Sequence, residues 1–502
     1  MNYLKNKWIL AAACGLIACS ACKEETLEEK VAKSGYPSDV GEIMLTSCAV
    51  EGCHAGSAPA GGLKLESYLD AFEGSQHGAV LVPGASRWSP LFQHINTYDD
   101  LGLTALPAMP PDSTDITITR EQVLTIRDWI EEGTPTNGFA DPYWYWTLTK
   151  NTGKLFTLCA GSDLVAVTDL ATHRVMRYVS VGQYPGEVES PHFIALSPDK
   201  KYFYLSLIAG NLIEKYRTDT YEMVGRVAVG ASPSLIVVSP DGTRAIVTHW
   251  NDAEGEVKIS LLDVSGTQVS VLDELRAGGS FMSFPHGLKA NAAFNTVYVT
   301  GNFGNYVSKI TFDGQVFTGE EKILLDPVGD PGDRPTQDYL PYQLYLTADE
   351  KQIFVSCSKK NEVRVINLET RALEAVIPTG RYPRLMDYDP VSNRLFVACR
   401  DESNVAMQGD DTGCVSVIDV AGKTLVKNIF GLGHKPHGIG VAIAGRRLYV
   451  STEGNTGDLH HPISGTSSPP GRYTVVDLTT LTVLEELETQ VAEYATSLII
   501  SE

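Results

Sequence analysis

The sequence predicts a multidomain protein: a small all-α domain followed by an all-β seven-bladed propeller that is closed by its own N- and C-terminal strands. Three observations carry this expectation. Two cysteines and a histidine are packed into the seven residues Cys48 to His54, among short helical patterns. Further along, a proline recurs ahead of strand-forming residues at separations of 42, 52, 56, 42 and 53, the spacing of four-stranded propeller blades. Near the end, Ala495 to Ser501 forms a first strand with no second strand after it, and the stretch Lys154 to Cys159 supplies the missing partner.

The 502 residues are 43% hydrophobic and 20% charged, an ordinary globular composition with ample material for a core. Sixty-one acidic against forty basic residues give a net charge of -21. That balance repels nucleic acid and anionic lipid, and it suits either a basic redox partner protein or a plain solubilising surface. Lys5 and Lys7 precede an apolar run from Trp8 to Ala18 that is too short to span a bilayer, the form of an export signal. Leu16-Ile17-Ala18-Cys19 resembles a bacterial lipobox, so residues 1–22 are expected to be a lipoprotein signal and lipidation region. Cys19 is the expected lipidated residue and Cys22 the alternative. The mature protein is then expected outside the cytoplasm, anchored to a membrane by lipid, in the periplasm or on the outer-membrane surface. Disulfides persist there, and haem can be joined to thiols.

The first domain is expected over residues 34–138. Glu42 to Leu45 form a short amphipathic pattern running into Cys48. Thr119-Arg120-Glu121-Gln122 is a capping box that opens a second helix, with Val123, Ile126, Trp129 and Ile130 on its apolar face and Gly133 and Pro135 closing it. Cys48, Cys53 and His54 are arranged as a haem attachment site: two thiols for the vinyl groups and an adjacent imidazole for the iron. The short form of that signature is Cys-x-x-Cys-His, and here four residues separate the cysteines. A Cys48–Cys53 disulfide is the competing reading, and it leaves His54 without a role. Met109, in a loop between prolines, offers a soft thioether that with histidine raises a haem potential into a range useful for electron transfer; core packing is the bland alternative. His77 and His94 are either alternative ligands or solvated loop residues.

With Gly61-Gly62-Leu63, Pro83-Gly84, Ser89-Pro90-Leu91, Met109-Pro110-Pro111 and the Trp129 helix in that order, this segment resembles the small c-type cytochrome domains of the planctomycete type. The resemblance covers about a fifth of the chain. It implies one covalent haem c, held through Cys48 and Cys53, with His54 as proximal and Met109 as distal iron ligand.

The propeller is expected over residues 143–502. Asp141 to Trp146 is an aromatic stretch suited to packing between the domains. First strands such as Ile194 to Leu196, Ile236 to Val238 and Leu344 to Leu346 lead into Ser/Thr-x-Asp turns and second strands, and third strands recur as Val165 to Asp169, Ile259 to Asp263, Val363 to Asn367, Val415 to Asp419 and Thr474 to Asp477. These motifs, with Ser239-Pro240-Asp241-Gly242, resemble the surface-layer and YVTN-type seven-bladed propellers. That likeness specifies architecture and not chemistry. In domain order alone the chain resembles the haem nitrite reductases.

The residue after each proline starts an innermost strand at one mouth of the central channel. These are His192, Ser234, His286, Tyr342, Arg384 and His437. His192, His286 and His437 could hold a metal or second cofactor, or an anion with Arg384; a hydrogen-bonded ring tying the blades together is the competing reading. His249 and His434 sit near the same rim, and His460 and His461 lie in a polar insertion. Cys159, Cys357 and Cys399 are expected as buried filler, with a Cys399–Cys414 disulfide left open. Together these readings give an exported haem c electron-transfer lipoprotein whose propeller docks a redox partner or ligand. The alternatives are an oxidoreductase with a second cofactor at the histidine-lined mouth and a surface ligand-binding propeller protein.

Overall fold

The computed structural model describes residues 25–75, 79–138, 153–184, 187–251, 253–276, 282–326, 338–400, 413–453 and 470–502. The expected signal and lipidation region with Cys19 and Cys22, His77, the aromatic stretch 141–146, and His460 and His461 lie outside the described residues. Among the described residues no helix is long and apolar enough to cross a membrane.

The N-terminal part is built from short helices: α1 (Leu27–Ser34), α2 (Ser38–Ile43), α3 (Tyr68–Glu73), α4 (Pro90–Ile95) and α5 (Arg120–Glu131). The expected capping box of α5 forms, with the Thr119 side chain accepting from Gln122 N and the Gln122 side chain accepting from Thr119 N. Gly133 closes the helix at φ 86°, a left-handed conformation that costs glycine little. Helix α2 runs into Cys48 through a widened turn over Met44–Cys48, in which Ala49 N donates to Met44 O at 2.7 Å. Helices α3 and α4 were not anticipated. Six residues are too few to show a helical period, and only the Ser67 cap of α3 and Pro90 in the first turn of α4 mark them locally. The core is centred on Tyr36, Tyr68 and Trp129, which meet edge to face at centroid distances of 5.9–6.3 Å, with Phe92 and Ile130 fully buried beside them.

Seven antiparallel sheets follow. Blades 2 to 7 begin with innermost strands at Pro191, Pro233, Pro285, Pro341, Pro383 and Pro436, the register expected from the sequence. Blade 1 takes its innermost strand, Ala495–Ser501, from the end of the chain and its other three, Lys154–Cys159, Leu164–Asp169 and Arg174–Ser180, from the start of the propeller. Lys154 pairs with Ser501 and Thr157 with Leu498 in that closing ladder. The seven innermost strands pack side by side in a closed ring. The repeated turn has a local cause: the hydroxyl of Ser197 or Thr347 donates to the aspartate two residues on, at 2.6 and 2.7 Å, and accepts from the first amide of the next strand.

Blade 7 departs from the repeat. Its fourth strand is split into Thr482–Val483 and Thr489–Glu493, separated by a helical turn at Glu485–Leu487, and both pieces pair with Pro470–Asp477. The helical part packs against this irregular edge. Val82 and Trp88 share one buried cluster with Val175, Tyr473 and Val491, Trp88 lies 6.4 Å from Tyr178, and Arg87 bonds Glu493 at 2.8 Å.

Candidate functional site

Cys48, Cys53, His54 and Met109 line one cavity of about 490 Å³, within the range that holds cofactor-sized ligands. The wider cysteine spacing is absorbed by a loop. Cys53 N donates to Val50 O at 3.0 Å, Gly52 turns at φ 84°, and His54 N reaches back to Cys48 O at 3.3 Å. Both thiols are free, so the Cys48–Cys53 disulfide does not form. Burial, with Cys53 nearby, pushes the Cys48 thiol up to about 12, which keeps it protonated.

His54 Nδ1 lies 3.2 Å from the Leu63 carbonyl. A carbonyl only accepts, so Nδ1 carries the proton and Nε2 keeps its lone pair for a metal. The Gly-Gly-Leu turn thereby orients the imidazole. Met109 is held by its backbone, with Met109 N donating to His94 O at 2.8 Å, while His94 Nδ1 sits 2.8 Å from Pro107 O. The loop bearing the thioether is thus pinned to α4 at two points. His94 lines the same cavity. Two thiols, an imidazole with a free Nε2, a thioether and walls including Leu65, Val80, Leu91 and Ile118 form a donor set that suits a covalently held haem with soft axial ligation.

The cavity has a second wall that the sequence did not reveal. Val175 and Tyr178 from the outermost strand of blade 1, and Thr489, Gln490 and Val491 from the split strand of blade 7, line it from the propeller side. Trp88, flanked by Arg87 and Ser89 before a proline, was the local signal available, because a large ring on a loop needs a partner surface.

The channel mouth is a different kind of place. His192, His286 and His437 are buried there, but among the described residues no group of three or more histidine, cysteine or acidic side chains stands at metal-binding spacing. The expected metal site at His192, His286 and His437 is therefore not assembled. His286 Nδ1 meets Tyr342 O at 3.2 Å, and His437 Nδ1 meets Thr496 O at 3.2 Å. Each partner is the equivalent residue of the next blade. Tyr342 fills the centre, with His286 at 3.8 Å centroid distance, the Arg384 guanidinium 4.1 Å over its ring and His437 Nε2 3.4 Å from its hydroxyl. Burial lowers His192 to about 4 and drives His286 and His437 well below the usual range, so these rings are neutral. These contacts tie blade 4 to blade 5 and blade 7 to blade 1 at the mouth.

His249 is likewise satisfied, by Gly230 O and Ser260 Oγ at 3.0 and 2.9 Å. Cys159, Cys357, Cys399 and Cys414 are buried free thiols. Cys399 stands opposite Cys414 in the blade 6 ladder, without the disulfide left open by the sequence.

Fold and cavity define a protein of two parts, a c-type cytochrome domain joined to a seven-bladed β-propeller. Residues 51–113 match the Planctomycete cytochrome C family, whose members carry covalently bound haem c; the match takes in Cys53, His54 and Met109 and begins after Cys48. Antigen Lp49 of Leptospira interrogans (serogroup Icterohaemorrhagiae serovar copenhageni, strain Fiocruz L1-130) is 25% identical over 140 residues, which are 27% of this chain and 29% of the antigen. The chain thus spans under a third of that relative's length. Among solved structures, a functionally unknown protein from Desulfotomaculum acetoxidans aligns with a TM-score of 0.52 at 12% identity. The periplasmic gluconolactonase of Pseudomonas aeruginosa gives 0.50 at 14%, and a putative 6-phosphogluconolactonase from Bacteroides fragilis gives 0.52 at 12%. Each of the three covers 70% of this chain and 99% of its own. These likenesses show the propeller fold alone.

Proposed function

We propose that this protein is an exported electron-transfer lipoprotein, lipidated at Cys19 or alternatively Cys22, that carries one haem c and uses its propeller to seat that haem and to dock a redox partner. The observation that carries the reading is the single cavity lined by Cys48, Cys53, His54 and Met109, in which the Leu63 carbonyl fixes the His54 tautomer. In this reading Cys48 and Cys53 would hold the haem through two thioethers, with His54 Nε2 as the proximal and Met109 as the distal iron ligand. A bound haem c supplies a one-electron couple. The thioether favours the reduced iron, the imidazole is held in one orientation, and the apolar walls exclude water.

Charge supports the partner class. Residues 34–138 hold fourteen acidic and four basic residues, a net charge of -10 out of -21 for the chain. Leu106, 90% exposed beside the Met109 loop, adds an apolar contact point. An acidic surface with a small apolar centre fits a basic electron carrier. The channel histidines, engaged from blade to blade, add no second redox centre to this reading.

Expression in a host competent in haem attachment, followed by an alkaline pyridine spectrum, tests the proposal. One covalent haem per chain is expected, and Met109→Ala should abolish the sulfur-to-iron charge-transfer band and lower the potential. A chain without haem would overturn the reading, and an unchanged spectrum in the variant would remove Met109 as the ligand.

A further inference from the structure

We propose that the propeller is a working half of the haem pocket: Tyr178 and Val175 of blade 1 with Gln490 and Val491 of blade 7 shield the haem and set its potential. The inference rests on the haem reading above. Four observations converge on it. The cavity holding Cys48, Cys53, His54 and Met109 is walled on one side by these propeller residues and, among the described residues, by no part of blades 2 to 6. Val175 and Val491 belong to the same buried cluster as Val82 and Trp88 of the helical part, so the wall is a packed interface. Tyr178 lies within 6.4 Å of the Trp88 ring, and burial raises its phenol well above the usual range, so it contributes a neutral, desolvated surface. Gln490 is the polar exception: its side chain lines the cavity, stays exposed and makes no hydrogen bond among the described residues.

The split strand explains how the wall is placed. A full fourth strand in blade 7 would continue along Pro470–Asp477. Instead the chain lifts through Glu485–Leu487 and returns at Thr489, whose hydroxyl donates to His173 O at 3.1 Å in the neighbouring blade. Glu493 then accepts from Arg87 at 2.8 Å and from Ser162 at 2.9 Å. The break brings the returning strand, still paired within blade 7, against blade 1 at the place where the helical part docks.

The consequence is electrostatic. The oxidised iron–porphyrin unit carries one more positive charge than the reduced one, so removing water from its surroundings penalises the oxidised form and raises the potential. Tyr178 and Val491 act by excluding water. Gln490 lines the cavity at a point where added charge would be felt directly.

The test uses the full-length protein with its haem attached, and reads reduction potential and the Soret circular dichroism band. Tyr178→Ala should lower the potential and alter the Soret band, while Tyr178→Phe keeps the ring and should leave both near wild type. Because Tyr178→Ala could disturb folding, the exposed Gln490 gives an independent arm: Gln490→Glu should lower the potential and Gln490→Lys should raise it, each with one haem per chain. Potentials and Soret bands unchanged across Tyr178→Ala and both Gln490 variants would overturn this inference and leave the haem reading intact. Absence of covalent haem from the wild-type chain would instead remove the haem reading and this inference with it.

Discussion

Arg87 and Glu493, 406 positions apart in sequence, form an ion pair at 2.8 Å that joins the helical part to the propeller. The two ends are unequal. The Arg87 side chain is 53% exposed and that of Glu493 8%, and Glu493 also accepts from Ser162. Removing Glu493 therefore breaks two bonds at a buried edge, whereas removing Arg87 breaks one of them and vacates a half-exposed position.

Arg87→Ala is expected to cost no more than about 1 kcal/mol, as exposed pairs do, and Glu493→Ala about 2 kcal/mol, because Ser162 and the neighbouring blade lose a charge-assisted bond. A double-mutant cycle read by thermal unfolding should give a coupling of roughly 0.5–1 kcal/mol. Additive effects would show that the pair does not hold the interface.

Buried histidines make the propeller acid-sensitive. His192 and His249 are lowered from 6.5 to about 4 by burial, so the folded state binds their protons less tightly than the unfolded chain. Their contribution is fully present above pH 6.5 and is lost as the pH falls from 6.5 toward 4. Each is worth on the order of 3 kcal/mol across that window. Denaturant midpoints should drop between pH 6.5 and 4, and the drop should shrink in His249→Gln. Substituting His192, His286 and His437 together should lower stability without releasing a stoichiometric metal; release of one would restore the metal reading of the channel.

Electron exchange with a small basic carrier should slow as salt is added, by about tenfold between low and high ionic strength, since steering by opposite charge is screened over roughly 10 Å at 0.1 M. Stopped-flow oxidation across a salt series measures this. A flat series, or a rise in rate, would count against a basic partner.

Much of this was legible locally. The prolines at the head of each blade, the hydroxyl-and-aspartate turns and the orphan strand at Ala495 are short-range signals, and they placed the innermost strands and the closure between Lys154 and Ser501. Cys48, Cys53, His54 and Met109 stood out by residue type, and the structure gathers them on one cavity. What escaped depended on distant parts of the chain meeting. Nothing around Tyr178 or Gln490 marks them as neighbours of Cys48, since the acidic run Glu485 to Glu488 carries no strand period and hides the break that brings them there. The three channel histidines were visible as a set, yet their role turned on where each Nδ1 points, which spacing does not encode.

The strand Thr489–Glu493 and the closing strand Ala495–Ser501 are synthesised well after the helical part. The first hundred or so residues therefore emerge long before the surface that completes their pocket exists. A chain cut short at residue 488 would lose the buckle of the ring, the acceptor for Arg87 and one side of the cavity in a single stroke. Synthesis of residues 489–501 is thereby coupled to completion of the pocket, and a product cut before them would expose both an open sheet edge and an unshielded cleft.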